Sequence, residues 1–140
     1  EEQNLSLIQE LQPDLPKIPL DEGLIVQVIS NLLTNALNYT PAGGSVWVRT
    51  KVAEEGENTW VVFSVEDTGP GIAEEDRERL FERFFRGKAG HTSGAPGTGL
   101  GLSIVKEVVD RHKGKVVVPH SENHGAIFEI CLPVYSKETI

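Results

Sequence analysis

The alternation of apolar and polar residues along the chain predicts a series of short strands and helices. Residues 5–11 alternate loosely and predict a strand, and three prolines before position 20 then indicate a linker. Asp21 is a suitable N-cap, and residues 24–39 carry apolar side chains at helical spacing, with Pro41 as a stop. The beginning of the chain therefore predicts a strand, a linker and one long helix.

The rest of the chain predicts a hairpin, two further helices and two further strands. Residues 45–52 and 59–65 alternate on either side of a polar turn, which is the pattern of a β-hairpin. The elements that follow are a short helix at 73–80, a glycine-rich loop at 87–101, a helix at 102–112 and strands at 115–119 and 126–132. This order separates the helices from a mixed, largely antiparallel sheet, so we expect an α/β (α+β) two-layer sandwich with about three helices on one face.

Chain length and composition are those of one globular domain. The 140 residues are 39% hydrophobic and 24% charged, which is an ordinary balance for such a domain. We expect a single domain over residues 1–140, with a leading strand and linker at 1–19 and a tail at 134–140. The start without Met indicates a fragment of a longer protein.

Several locations and chemistries are disfavoured by the sequence. No apolar run approaches the ~18 residues of a membrane span, and the start lacks the pattern of a secretory leader. We therefore expect a cytoplasmic domain without direct membrane insertion. The single cysteine, Cys131, lies in an apolar alternating run and is expected to be a buried thiol. The four histidines show no zinc-ligand spacing.

Charge is distributed unevenly in this acidic chain. Its 13 Lys and Arg residues against 21 Asp and Glu residues give a net charge of −8, which argues against binding to nucleic acid. Residues 83–106 nevertheless contain no carboxylate, and they include Arg83, Arg86 and Lys88. An electropositive segment in an acidic protein indicates a local anion. The alternative is a glycine-rich loop that lacks acidic residues by chance.

The long predicted helix carries an unusual polar face. Asn31, Asn35 and Asn38 follow one another at helical spacing, opposite the apolar side chains. Asn is a poor helix former, and its amide oxygen is a suitable ligand for Mg²⁺ beside phosphates. We interpret the stripe as ligand-binding, with a plain solvated face as the alternative. The apolar arc comprises Ile25, Val28, Ile29, Leu32, Leu33, Ala36 and Leu37.

A glycine-rich turn follows the second strand of the predicted hairpin. Asp67 stands at the strand end, and Gly69 and Gly71 flank a proline, which lets the backbone pass close to a flat ligand. The Asp67 carboxylate could accept a hydrogen bond from an exocyclic amine such as that of adenine. A turn stabilised by the Asp side chain is the alternative interpretation.

A second glycine-rich segment opens the last predicted helix. Successive glycines there expose backbone N–H groups beside the positive end of the helix dipole, which is typical of a phosphate cradle. Neither a P-loop nor a dinucleotide fingerprint is completed, and a flexible hinge is the alternative. The segment comprises Gly97, Thr98, Gly99, Leu100, Gly101 and Leu102.

In this order and spacing, these segments resemble the ATP-binding catalytic domain of sensor histidine kinases. That domain belongs to a superfamily that includes DNA gyrase and the mismatch-repair ATPases. The resemblance extends over residues 20–133, and its four motifs are specific only in combination. They are an N-box at 31–41, a first glycine box at 67–72, an F-box at 81–86 and a second glycine box at 97–105.

The resemblance implies a role for each candidate residue. Asn35 would coordinate Mg²⁺ with Asn31 close by, Asp67 would bind the adenine amine, and Arg83 would approach the phosphates. Asn35 and Arg83 would be the catalytic residues, and residues 87–99 would form an ATP lid. The remaining residues implied in binding ATP are Asn38, Tyr39, Gly69, Gly71, Ile72, Arg86, Lys88, Gly97, Thr98, Gly99, Leu100, Gly101 and Leu102.

One position departs from the resemblance. Many relatives carry Lys or Arg where this chain has Asn38, and the cation there contacts the terminal phosphate. Lys88 or Arg86 is the candidate to replace that contact here.

The implied activity is transfer of the terminal phosphate of Mg-ATP to a histidine on a separate domain. That partner would be the phosphoacceptor and dimerisation domain of the same parent protein, and a response regulator would follow it indirectly. None of the four histidines of this chain has the sequence setting of a phosphoacceptor. The implied reaction requires ATP and Mg²⁺ as cofactors. Because no histidine of this chain is a candidate acceptor, the expected partner is a separate protein domain.

Three other activities of the superfamily remain open. A conformational ATPase like the gyrase relatives would carry a glutamate general base where this chain has Asn31, which cannot deprotonate water. An anti-sigma serine kinase would usually lack the F-box and the long second glycine segment. A nucleotide sensor without catalysis is the third alternative.

Overall fold

The computed structural model describes residues 5–16, 18, 20–82, 101–120 and 125–134. Five strands, two α-helices and a 3₁₀ helix lie within these ranges. In chain order they are β1 (Ser6–Leu11), α1 (Glu22–Tyr39), β2 (Ser45–Glu55), β3 (Asn58–Asp67), the 3₁₀ helix Glu74–Arg79, α2 (Gly101–Arg111), β4 (Lys115–Val117) and β5 (Ile127–Pro133).

The strands form one mixed sheet in the order β1-β2-β3-β5-β4. β1 and β2 pair in parallel, because the linker and α1 carry the chain back between them, and the other pairs are antiparallel. The hairpin between β2 and β3 turns at Gly56, whose φ of 62° lies in the left-handed region that glycine adopts without strain. The predicted two-layer α/β fold is thereby confirmed.

Helix α1 begins and ends where its sequence predicts. Asp21 is the N-cap, and its Oδ1 accepts a hydrogen bond of 3.1 Å from the backbone N–H of Leu24. The helix ends at Tyr39, and the hydroxyl of the buried Thr40 donates to the carbonyl of Ala36 at 2.7 Å. Pro41 follows, so the chain leaves the helix at once.

Both α-helices pack on the same face of the sheet. Branched aliphatic side chains dominate the contact, because they fill the space above a pleated surface. The core cluster comprises Val28, Leu32, Ala36, Val46, Val65, Val105, Val108, Val109, Ala126, Phe128, Ile130 and Leu132.

Some local expectations were wrong. Leu37 belongs to the predicted apolar arc but is 38% exposed, because α1 buries only a narrow stripe through Val28, Leu32 and Ala36. The hairpin strands extend to Glu55 and Asp67, since backbone pairing continues beyond the apolar residues that signal a strand. The expected short helix is a 3₁₀ helix whose first residue has no side-chain cap.

Candidate functional site

A pocket opens between the second half of α1, the turn after β3, the start of α2 and strand β5. It encloses about 490 Å³ including its mouth, and apolar side chains form most of its wall. Its lining residues are Asn35, Tyr39, Asp67, Pro70, Gly71, Ile72, Asp76, Leu80, Leu102, Ala126 and Phe128.

Asp67 is the buried polar group of this pocket. It is 3% exposed at the end of β3, and its Oδ1 accepts hydrogen bonds from the backbone N–H groups of Gly69, at 2.8 Å, and Ala126, at 3.3 Å. Burial raises the pKa of the Asp67 carboxyl, while the two backbone donors act in the opposite direction and the charge of Glu66 adds to the rise. The carboxylate is thus oriented by the backbone on both sides.

The turn after β3 lies directly against the end of α1. A Cβ atom on Gly69 would come within 2.6 Å of the Tyr39 carbonyl oxygen, so a side chain does not fit there. Gly71 has a φ of 80°, in the left-handed region. Both glycines are therefore required by the backbone path, and this path places Ile72 in the pocket wall.

The asparagine stripe divides between two places. Asn35 lines the pocket, whereas Asn31 donates from its side-chain nitrogen to the carbonyl of Gly101 at 3.4 Å and so reaches the start of α2. Asn38 is half-buried and is not among the lining residues. Helical spacing alone treats these three positions as equivalent, and the packing of α2 separates them.

The second glycine box is described only from its end. Gly101 is the first residue of α2, and Leu102 lines the pocket. The predicted site residues Arg83, Arg86, Lys88, Gly97, Thr98, Gly99 and Leu100 lie outside the described residues, as does the expected lid at 87–99.

The sequence analysis did not assign several pocket residues to the site. Ala126 supplies a backbone N–H to Asp67, and Phe128, two residues on, contributes to the wall and meets Phe81 edge to face at a centroid distance of 6.5 Å. Alternation in β5 indicates that Phe128 faces inward but does not reveal which ligand it faces. Asp76 and Leu80 come from the 3₁₀ segment, where the sequence shows no comparable signal.

Known proteins are similar to this chain in sequence and in fold. Residues 20–136 match the family described as histidine kinase-, DNA gyrase B- and HSP90-like ATPase. The chain belongs to this ATPase family. The adaptive-response sensory kinase SasA of Rippkaea orientalis is 41% identical over 133 residues, which are 95% of this chain and 33% of that protein.

Solved structures agree with this membership. The mycobacterial sensor histidine kinase MprB has a TM-score of 0.77 at 32% identity, over 93% of this chain and 82% of that chain. Full-length ShkA in complex with AMPPNP has a TM-score of 0.77 at 33% identity, over 96% of this chain and 27% of that chain. The identification with the catalytic domain of sensor histidine kinases is confirmed.

The ATPase domain corresponds to one part of its longer relatives. It spans about a third of the length of the SasA proteins that it matches. Membership in the family, together with the similarity to the catalytic domains of sensor histidine kinases, supports ATP binding. Among the described helices, none combines the length and hydropathy that a membrane crossing requires.

Proposed function

We propose that this domain binds Mg-ATP and donates the terminal phosphate to a histidine on a separate phosphoacceptor and dimerisation domain of its parent protein. The observation that carries the proposal is the placement of Asp67 and Asn35 in one pocket, from strand and helix respectively. Asp67 offers an oriented hydrogen-bond acceptor for a nucleobase, and Asn35 offers an amide oxygen for a metal ion. We place the parent's signalling in the cytoplasm, with a response regulator as the later recipient.

The apolar wall of the pocket suits an adenine ring. A purine ring is flat and apolar on both faces, and Ile72, Leu102 and Phe128 present apolar side chains there. The Asp67 carboxylate stands among them as an acceptor for the exocyclic amine. Guanine carries a carbonyl oxygen in place of that amine, so the carboxylate would repel it.

Asn35 is a suitable ligand for a magnesium ion that is bound mainly by phosphates. Mg²⁺ prefers oxygen ligands and is commonly held by one or two protein groups together with substrate phosphates and water. Asn35 is half-buried at the pocket and can offer one amide oxygen. When bound, the ion would neutralise charge on the phosphates and help to orient them.

Catalysis in this proposal consists of positioning and charge stabilisation. Phosphoryl transfer needs little covalent chemistry from the protein. Asn35 would hold the metal, and Arg83, which lies outside the described residues, is the predicted cation beside the phosphates. The start of α2 offers the positive end of the helix dipole.

Asn31 supports phosphotransfer over rapid hydrolysis. Its amide cannot act as a general base, and its nitrogen is hydrogen-bonded to the carbonyl of Gly101. A conformational ATPase would need a carboxylate at this position to activate water. The acceptor and its base therefore belong to another domain in this proposal.

Radiolabelled ATP tests the division of labour. The isolated domain should acquire no stable phosphohistidine, and addition of the parent's phosphoacceptor domain should produce label on that domain. Labelling in trans should be weak, because tethering normally supplies a high effective concentration. The variant Asn35→Ala should not support labelling, whereas Thr34→Ala, an exposed neighbour on the same helix, should resemble the wild type.

Two results would contradict the proposal. The first is acid-labile, alkali-stable label on the isolated domain that disappears when one of its four histidines is replaced. The second is fast hydrolysis of ATP by the isolated domain without any acceptor, which would favour the conformational ATPase.

A further inference from the structure

His112 connects the two helices at the end opposite the nucleotide pocket. Its ring Nδ1 lies 2.9 Å from the carbonyl oxygen of Val108, one turn earlier in α2. Its Nε2 lies 2.9 Å from the backbone nitrogen of Asp21, the N-cap of α1. A carbonyl only accepts, so Nδ1 carries the proton and Nε2 accepts from the Asp21 N–H.

The Asp21 N–H has no local partner in this sequence. In a capping box, the residue three positions after the N-cap accepts this N–H through a Glu or Gln side chain. Here that residue is Leu24, which cannot accept, although its own N–H is bonded to the Asp21 side chain. His112 supplies the missing acceptor from the other helix.

The His112 ring is held in place by the way α2 ends. Lys113 follows it with a φ of 60°, and the backbone N–H groups of Lys113 and Gly114 bond back to the carbonyls of Asp110 and Val109, both at 3.0 Å. These two bonds form a Schellman motif, which fixes the backbone at His112. The ring therefore approaches α1 from a defined position.

A second hydrogen bond joins the same helices near the pocket. Asn31 of α1 donates to the carbonyl of Gly101, the first residue of α2. The two bonds place α1 and α2 antiparallel, and between them lie Val28, Leu32 and the buried valines of α2. Close packing of these side chains sets most of the relative position of the helices, and the hydrogen bonds at the two ends add a directional restraint on how far one helix is shifted along the other.

We propose that His112 is a positioning residue for the nucleotide pocket. It lies on the order of 16 Å from the start of α2, one helix length away, so it acts through the helices and not by contact. Its bond to Asp21 sets the axial register of α2 against α1. That register sets the distance between Leu102 on one pocket wall and Asn35 on the other. The consequence for binding rests on the proposed nucleotide function.

Two substitutions separate the two bonds of the imidazole. In His112→Gln, the amide can reach the place of Nε2 and keep an acceptor for the Asp21 N–H. In His112→Asn, the amide occupies the place of Nδ1 and keeps only the bond to Val108. Arg111→Gln is the control at the same helix end, because the exposed Arg111 pairs with Glu107 of its own helix at 3.2 Å.

The ligand-free domain provides the direct test. By NMR, His112→Asn should shift the signals of the Asn31 side-chain amide and the Leu102 backbone amide, whereas His112→Gln and Arg111→Gln should leave both in place. By calorimetry, His112→Asn should weaken binding of Mg-AMPPNP about three- to tenfold, the equivalent of one hydrogen bond. His112→Gln should restore the affinity to within about twofold of the wild type.

Several outcomes decide the question. Equal behaviour of the Asn and Gln variants, or a loss of thermal stability without shifts at Asn31 and Leu102, would overturn the inference. If the wild type binds no nucleotide, the proposed function fails, and the ligand-free signals still decide the role of His112. If His112→Asn does not fold, Asp21→Ala and Asp21→Pro replace it. Both variants lose the side-chain cap, but only Asp21→Pro also loses the backbone N–H that His112 accepts. Asp21→Pro should therefore shift the signal of the Leu102 amide more than Asp21→Ala does.

Discussion

A Cβ atom on Gly69 would lie 2.6 Å from the carbonyl oxygen of Tyr39, so the turn after β3 packs directly on the last turn of α1. This contact brings the first glycine box and the N-box together at one wall of the pocket. In the same turn, the Gly69 N–H donates to Asp67 Oδ1 at 2.8 Å. The close approach therefore couples the packing of the helix to the orientation of the carboxylate.

Gly69→Ala should lower both stability and nucleotide affinity. The added methyl group meets backbone atoms that cannot move aside, and such overpacking costs about 1–3 kcal/mol of unfolding free energy. Denaturant unfolding and calorimetry with Mg-AMPPNP measure the two effects. The control is Gly23→Ala, where the Cβ meets only ordinary contact at 3.6 Å in the first turn of α1. That change should stabilise the domain by about 0.5–1 kcal/mol, and equal behaviour of the two variants would disprove the role of the contact.

Asp67→Asn should weaken ATP binding while the domain stays folded. The Asn carbonyl can still accept from Gly69 and Ala126, but its N–H₂ would then face the adenine amine, and two donors repel. The loss of a hydrogen bond to a charged group corresponds to about tenfold or more in affinity. Wild-type protein should prefer ATP strongly over GTP, and the preference should shrink in the variant. Equal binding of ATP and GTP to the wild type would remove Asp67 from adenine recognition.

The same substitution should change how stability depends on pH. Burial raises the pKa of Asp67 above its unfolded value, so the folded state binds this proton more tightly than the unfolded state does. The carboxyl therefore favours folding below its unfolded pKa, and this contribution is lost as pH rises through the higher folded pKa. Relative to the wild type, Asp67→Asn should become more stable between mildly acidic and neutral pH. Urea unfolding at a series of pH values measures the free energy of unfolding of Asp67→Asn relative to that of the wild type. If this relative stability falls as pH rises, the pKa of Asp67 is lowered by folding and not raised.

Asn35→Ala should remove the part of ATP affinity that depends on Mg²⁺. The side chain at the pocket supplies the proposed amide oxygen, and its loss leaves the ion with one ligand fewer. In calorimetry, the ratio of the ATP affinity with Mg²⁺ to the ATP affinity with a chelator should fall about tenfold. The affinity without metal should change little. Thr34→Ala, on the exposed side of the same helix, should keep the wild-type ratio. An unchanged ratio in Asn35→Ala would exclude Asn35 as a metal ligand.

Local patterns were sufficient to predict most of the secondary structure. The N-cap at Asp21 and the stop before Pro41 bound a helix that runs from Glu22 to Tyr39. Alternation located all five strands to within a few residues. These signals act over one or two turns of chain, so neighbouring residues suffice to read them. The four motifs are likewise short local segments, and together they were sufficient to indicate the family.

Contacts between distant segments could not be predicted in the same way. The backbone N–H of Ala126 donates to the Asp67 carboxylate across 59 residues of sequence. The register of β5 against β3 determines which N–H of this segment reaches the carboxylate. The sequence of β5 shows alternation but not register.

The sequence by itself determined most of the elements and the family, and it singled out Asn35, Asp67 and Ile72, which the fold brings into one pocket. The tertiary structure alone decided that Asn35 faces the pocket while Asn31 bonds to α2, and that His112 accepts from Asp21. The physical reason is that helical periodicity defines a face only relative to its own axis. Which neighbour that face meets depends on how the helices pack on the sheet, and packing sums many weak contacts from the whole chain.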